Sequence, residues 1–307
     1  MNIFKHNKYN PILLFIMKSI LHPVLSIQNA HVRDAHILFE ENGHKYTITT
    51  DPETKYTSVT TWNHTHFPQF HADEVIENMM KGKGWKEGHR YWGLTPAEIK
   101  AQWDSNKTSV AGSGTNLHYE IECFMNNPTL RTSSYTNYQL YETYMKNMKK
   151  KKQDVKDTSL EWQYFLEFLK DTPHLKPYRT EWLIYDDDNK IAGSIDMVYE
   201  NPDGTLSIYD WKRSKNITRI NNFNKFATHP LVCHLPDSNF WHYAMQLNTY
   251  KYILERKYNK IVKDLFLVRL HPEAEEKTYE LISIPILSTE MEDLFLERKK
   301  QIYSETM

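Results

Sequence analysis

The residues best placed to do chemistry are Asp196, Asp210 and Lys212. Asp196 lies in Gly193-Ser194-Ile195-Asp196-Met197-Val198, and the other two lie in Ile208-Tyr209-Asp210-Trp211-Lys212. Between these runs, Pro202-Asp203-Gly204 is a strong turn signal. The flanks are β-branched and aromatic, so the segment reads as a β-hairpin. Counting inward from both ends sets Asp196 opposite Asp210. Cross-strand neighbours lie about 5 Å apart, where like charges repel unless a divalent cation sits between them. Side chains alternate along a strand, so Asp210 and Lys212 share a face and Trp211 points to the other. Two carboxylates and an ammonium on one face are the parts of a metal-dependent hydrolytic site. The plainer reading is a surface hairpin with an ordinary Asp–Lys pair. It is disfavoured because isolated charges in an apolar strand are costly unless used.

Other candidates are weaker singly. His118 and Glu122 are four residues apart and share a helix face, as do Gln246 and Tyr250. Such pairs are commonplace on amphipathic helices. Glu181 lies in a predicted strand, Thr180 to Tyr185, whose register sets it near Ser194 and diagonal to Asp196.

The elements that would carry these residues follow from patterning. Strands are expected over His44 to Thr50 and from Tyr56 to Thr60, with Thr60 or Thr61 capping a helix. A helix is expected over Asp73 to Lys81, stopped by Gly82-Lys83-Gly84. Thr95-Pro96-Ala97-Glu98 starts another, running to about Asp104. Ala111-Gly112-Ser113-Gly114-Thr115 reads as a loop, followed by a helix from Asn116 to about Asn126 that Pro128 closes. Helices over Tyr138 to Lys152 and Ser159 to Leu169 precede a three-stranded antiparallel meander: Thr180 to Tyr185, Lys190 to Tyr199, and Ile208 to Lys212. Then come an irregular basic stretch, a long helix from Trp241 to about Tyr258, strands over Ile261 to Leu270 and Tyr279 to Ile284, and a helix from Thr289 to Tyr303. The whole reads as one α/β domain with a helical N-terminal part.

The chain has 307 residues, 40% hydrophobic and 25% charged, which is enough for one large domain or two modest ones. A net charge of -1 supplies no global basic field, so any nucleic-acid contact must be local. Cys123 and Cys233 are the two cysteines; they argue against a disulfide scaffold and exclude an intrachain four-cysteine iron–sulfur cluster. A reducing, intracellular compartment follows as the default, cytoplasm or nucleus. No apolar run can span a membrane, the best being Ile12 to Met17. The start is acid-free up to Asp34 and faintly resembles an organelle presequence, giving mitochondrial targeting slight support, but it is poor in Arg and Ser. A loosely ordered extension over 1–35 is the expectation. Lys149 to Lys152 reads as a solvated helix end, the alternative being a rim that contacts phosphates. His64, His66, His71, His229, Cys233 and His234 fit no closed zinc spacing.

The order of the pieces says more than any one. Gly114-Thr115-x-x-His118-x-x-x-Glu122, Glu181, Gly193-x-x-Asp196, Asp210-x-Lys212 and Gln246-x-x-x-Tyr250 together resemble the PD-(D/E)XK nuclease superfamily, specifically its RecB-like and lambda-exonuclease-like branch. Tyr56-Thr57-Ser58-Val59-Thr60 is similar to an N-terminal segment of the mitochondrial genome maintenance exonuclease group, which has viral relatives. The likeness covers roughly residues 44 to 270. The name-giving Pro-Asp is absent, since Ile195 precedes Asp196, and the second acid is Asp210 rather than Glu.

The resemblance implies a restriction-endonuclease-like α/β core: a central mixed sheet with an antiparallel meander, flanked by helices. It implies a single nuclease domain over 36–307, with 36–110 as an N-terminal subdomain and 111–307 as the catalytic core. The implied activity is metal-dependent hydrolysis of DNA from a free end, in replication, recombination or repair. Asp196, Asp210, His118 and the Trp211 carbonyl would hold one or two Mg2+ or Mn2+ ions. Lys212 would orient water or stabilise the transition state. Glu181 would be a third carboxylate, Gln246 and Tyr250 would hold the phosphate or order the site, and Glu122 would fix His118 or a water. Trp62, Trp85, Tyr91 and Trp92 are candidates for stacking on a threaded strand. The rival reading is a non-catalytic or complex-dependent nucleic-acid-binding recombination subunit of the same fold. No G-x-x-x-x-G-K-[ST] loop occurs, so a helicase or recombinase partner would be another chain.

Overall fold

A computed structural model describes residues 24–127 and 135–305. Most of the expected extension, residues 1–23, and the expected helix stop at Pro128 lie outside the described residues. Residues 24–36 pack on the body of the protein. They comprise a short helix α1 (Val24–Gln28) and a 3-10 turn (Val32–His36). Asp34 pairs with Arg179 at 2.7 Å and accepts the Trp182 indole N–H at 3.0 Å.

A hairpin, β1 (Ile37–Glu40) and β2 (Lys45–Ile48), follows. The chain then makes a two-residue strand β3 (Thr57–Ser58) and turns directly into α2 (Val59–His64). Ser58, not Thr60 or Thr61, caps this helix, its hydroxyl accepting the Thr61 N–H at 3.1 Å. The extended run expected up to Thr60 is shorter because that cap bond starts the helix at Val59. Helix α3 (Ala72–Lys81) ends at Gly82, as expected.

The largest departure is α4, one helix from Pro96 to Met125. It begins with the Thr95–Glu98 capping box but does not stop near Asp104. It runs through Gly112-Ser113-Gly114, where a loop was expected, and through the expected 110/111 boundary between subdomain and core. Glycine costs an exposed helix interior only about 1 kcal/mol. The segment is held from both ends, by buried Ile99 and by buried Leu117, Ile121 and Met125. Ser113 and Thr115 send their hydroxyls back to the carbonyls of Ser109 and Ala111, so they do not compete with the helix.

Helices α5 (Asn137–Lys151) and α6 (Leu160–Asp171) lead into the sheet. Strands β4 (Lys176–Asp186), β5 (Ile191–Glu200) and β6 (Leu206–Lys212) form the expected antiparallel meander. After a basic irregular stretch come α7 (Asn239–Lys257), β7 (Val262–Arg269) parallel to β6, β8 (Glu280–Ser283) antiparallel to β7, and α8 (Ser288–Glu305). The sheet is therefore mixed. Its two faces carry separate cores, as alternation demands. Ile208 joins a core built with α2, α7 and α8, while Tyr209 and Trp211 join a core built with α4 and α6. Helices thus cover both faces of an α/β fold of the restriction-endonuclease-like kind.

One edge of β5 pairs with β4 along nearly its whole length. Its other edge is shared end to end, by β3 at Ile191 and Ala192 and by β6 from Met197 to Glu200. Between these two partners, residues 193–196 have no strand beside them on that edge. This gap positions the site.

Candidate active site

The hairpin register is as expected. Met197 pairs with Tyr209 and Val198 with Ile208, so one further step sets Asp196 opposite Asp210. No bulge at Gly204 intervenes. The ladder stops there, and the Asp196 carboxylate takes over, its Oδ2 accepting the Trp211 N–H at 3.0 Å.

Asp196 is also where the face alternation of β5 slips. Ile195 belongs to one core and Met197, two residues later, to the other. The facing strand slips at the matching residue. Glu181 lies between the pairs Thr180–Met197 and Trp182–Ile195 and takes a left-handed backbone at φ 43°. Few residues other than glycine adopt that conformation, and where they do, the surroundings must hold them there. Glu181 is thus directly across from Asp196, not diagonal to it, because the two residues leave the ladder together. Ser194 Oγ donates to Glu181 Oε2 at 2.8 Å and orients that carboxylate.

From the other side α4 delivers His118. Its Nδ1 is 3.5 Å from Asp196 Oδ2, and its Nε2 meets the Trp211 carbonyl at 2.9 Å. The carbonyl can only accept, so Nε2 is the donor there, and Nδ1 is the ring nitrogen turned to Asp196. The Trp211 carbonyl, read from the resemblance as a metal ligand, accepts from this imidazole. Among the described residues, His118, Glu181 and Asp196 bring one ligand atom each within 4.8 Å of one another.

Asp210 lies deeper, 1% exposed. Lys212 Nζ is ion-paired with its Oδ2 at 2.5 Å, while Oδ1 is buried without a hydrogen-bond donor. Burial, and then the Asp196 charge, push the Asp210 carboxyl up to about 6. Burial opposes the Lys212 ammonium, yet Asp210 and Asp196 outweigh it and hold its pKa above the ordinary value. The ammonium also sits over the Tyr243 ring, 4.6 Å from the centroid. Crowded carboxylates and the buried Asp210 Oδ1 fit a divalent cation: it would satisfy that oxygen and remove the repulsion between Asp196 and Asp210.

Helix α7 closes the back. Gln246 Nε2 donates to the Tyr250 hydroxyl at 3.0 Å, and Tyr250 packs against Gly193, where an added Cβ would meet Tyr250 Cε1 at 2.8 Å. His118, Glu181, Asp196, Lys212, Gln246 and Tyr250 line an open cleft of about 500 Å³, which also takes in Thr60, Thr115 and Glu122, with Asp210 buried behind it.

The sequence pattern of the PD-(D/E)XK nuclease superfamily matches residues 122–305, more than half of the chain. The chain belongs to that superfamily. Nuclease chemistry is therefore its expected activity. Members of the superfamily generally use divalent metal ions, which agrees with the His118–Glu181–Asp196 group. No curated protein matches the chain.

The stacking candidates separate. Trp62 is buried at 5% exposure, edge-on to Phe295 and His66, and is core. Trp85 and Tyr91 are half-buried and Trp92 is exposed, all outside the cleft. Lys149 to Lys152 form the exposed end of α5. No helix among the described residues is long and apolar enough to cross a membrane. The strand expected over His44 to Thr50 is β2, but the sequence reading missed its partner β1 and so the hairpin, which sends Phe39, Glu41, His44 and Tyr46 to the cleft. The signal for it is Asn42-Gly43 between two alternating runs.

Proposed function

We propose that this protein is a divalent-metal-dependent exonuclease that hydrolyses phosphodiester bonds of DNA from a free end, in replication, recombination or repair. The supporting observation is the meeting of His118, Glu181 and Asp196 at a gap in the sheet, with the buried Asp210–Lys212 ion pair beside them. Bound Mg2+ or Mn2+ would supply Lewis acidity at the phosphate and offset its charge. Asp196 and Asp210 would hold such ions, with Glu181 and His118 on the open side of the cleft.

Lys212 places an ammonium where negative charge grows as water adds to phosphorus and the bond to the leaving sugar oxygen breaks. The attacking water loses a proton, and the leaving oxygen gains one. Gln246 and Tyr250, bonded to each other, form a fixed polar wall against which the phosphate rests. Ser194 and the Trp211 carbonyl act one step back, aiming Glu181 and His118 respectively.

Attack from an end, rather than at an internal sequence, is supported by the order of His118 and the Gln246-x-x-x-Tyr250 helix around the core, which resembles end-processing relatives. It is also supported by the basic residues, dispersed over Lys149 to Lys152 and Lys212 to Lys225 in a way that suits backbone tracking. The test incubates covalently closed single-stranded circles beside the same DNA linearised, with Mg2+, Mn2+ or chelator. Digestion of linear DNA alone, and only with metal, is expected. Equal digestion of circles and linear DNA overturns the exonuclease reading.

A further inference from the structure

We propose that the β1–β2 hairpin is a base-stacking wall of the cleft, on which Phe39 and His44 receive the nucleobase beside the phosphate being cut. This rests on the nuclease reading of the same cleft and adds what part of the substrate, other than phosphate, it grips.

The cleft has two chemically different walls. The sheet, α4 and α7 contribute carboxylates, imidazole, ammonium and amide, whereas the hairpin contributes Phe39, His44 and Tyr46. Phe39 and Tyr46 are direct register partners and so share a face, with ring centroids 4.8 Å apart. His44 stands edge-on against both, 5.0 Å from Phe39 and 5.7 Å from Tyr46. The three grade outward from buried Tyr46 through half-buried Phe39 to exposed His44.

The wall is anchored. Ile37, Tyr46 and Ile48 pack with Tyr56, Tyr185 and Ala192, so the hairpin rests on β4 and β5 just beyond Glu181 and Ser194. Tyr46 lines the same cleft as Glu181 and Asp196, so this ring stands across from the carboxylates. At the tip, Gly43 and His44 adopt left-handed backbone, φ 84° and 48°, and the His44 N–H donates to the Glu41 carbonyl at 3.1 Å. The turn thereby holds His44 out over Phe39.

A flat ring seeks a flat π-bearing partner. In a nucleic acid held by its phosphate at Asp196 and Lys212, the adjacent base is that partner. A base inside a duplex has both faces covered by its neighbours, so only a terminal or unpaired base can use the wall. Residues 37–48 lie outside the segment that matches the superfamily.

The experiment compares kcat/KM for two end-labelled single strands with Mg2+ or Mn2+. One is natural, and the other carries an abasic analogue at the nucleotide nearest the scissile bond. Wild-type protein is expected to lose about tenfold on the abasic strand, within the range of one stacked base. The double variant Phe39→Ala/His44→Ala is expected to cut both strands equally, at about the wild-type rate for the abasic one. Phe39→Leu with His44→Ala, which keeps the apolar bulk, is expected to do the same and guards against misfolding of the hairpin. The proposal is overturned if wild type cuts both strands alike, or if the variants keep the tenfold difference. If wild type cuts neither strand with either metal, the nuclease reading itself fails.

Discussion

The Asp196 carboxylate accepts the Trp211 N–H at 3.0 Å at the point where β5 and β6 stop pairing. A side chain thus does the work of the next backbone bond. Beyond it the strands part, and the cleft opens between them. This couples the site to the fold: the residue that closes the ladder also faces His118 Nδ1 at 3.5 Å and stands opposite Glu181.

Asp196→Asn, Asp210→Asn and Lys212→Ala should each abolish metal-dependent cleavage, by at least about 100-fold. Asp196→Asn keeps an oxygen for the Trp211 N–H, so its fold should survive. Rates on linear DNA, measured beside circular dichroism, check this. A folded variant cutting at the wild-type rate would remove that residue from the site.

Metal binding should depend on pH through Asp210. Its carboxyl is raised to about 6 in the folded chain, so folding favours its protonated form. In the metal-free protein, stability associated with that proton is fully present below the unfolded value and is lost as pH rises through about 6. A cation competes with the same proton. Affinity for Mg2+ or Mn2+ should therefore fall as pH drops below about 6, and binding near pH 6 should release a proton. Calorimetry in two buffers of different ionisation enthalpy reads that proton directly, and identical heats would contradict it.

Gly193→Ala should damage the site from behind. A Cβ there would meet Tyr250 Cε1 at 2.8 Å and Val59 Cγ2 at 2.9 Å, so rigid buried side chains must move. A cost of about 1–3 kcal/mol in stability is expected, as for other overpacked cores. Cleavage should fall further than unfolding explains, because Tyr250 carries Gln246 with it. Denaturant melts and rates on the folded fraction separate the two effects.

Gly112→Ala and Gly114→Ala should act in the opposite direction. Both positions are helical, and an added Cβ meets nothing within 4 Å at either. Each alanine should stabilise the protein by about 0.5–1 kcal/mol through the helix and the unfolded chain. Destabilisation by either would mean that the segment is the loop its glycines suggest.

Much of the site is legible in sequence. The Asp196–Asp210 register follows from a turn signal and equal counts on either side, both local and short-range. The shared face of Asp210 and Lys212 follows from strand alternation. His118 and Glu122, and likewise Gln246 and Tyr250, follow from helical spacing. The meander and the flanking helices are legible for the same reason, since periodicity is set by each segment's own geometry.

What the sequence by itself determined, then, is which residues share a strand or helix face and in what order they arrive. Only the tertiary structure decided how the faces meet. Burial of Ile99 at one end and of Leu117 and Ile121 at the other carries α4 unbroken through Gly112 and Gly114, against local propensity. The left-handed Glu181 has no local signature, because strand pairing on both sides of it and the Ser194 bond impose it. The His118–Trp211 contact joins residues 93 positions apart, and the Phe39–His44–Tyr46 wall reaches the cleft only because the hairpin finds its apolar partners on β4 and β5. Such long-range contacts form where buried surface outweighs local preference, and no window of sequence contains both sides of them.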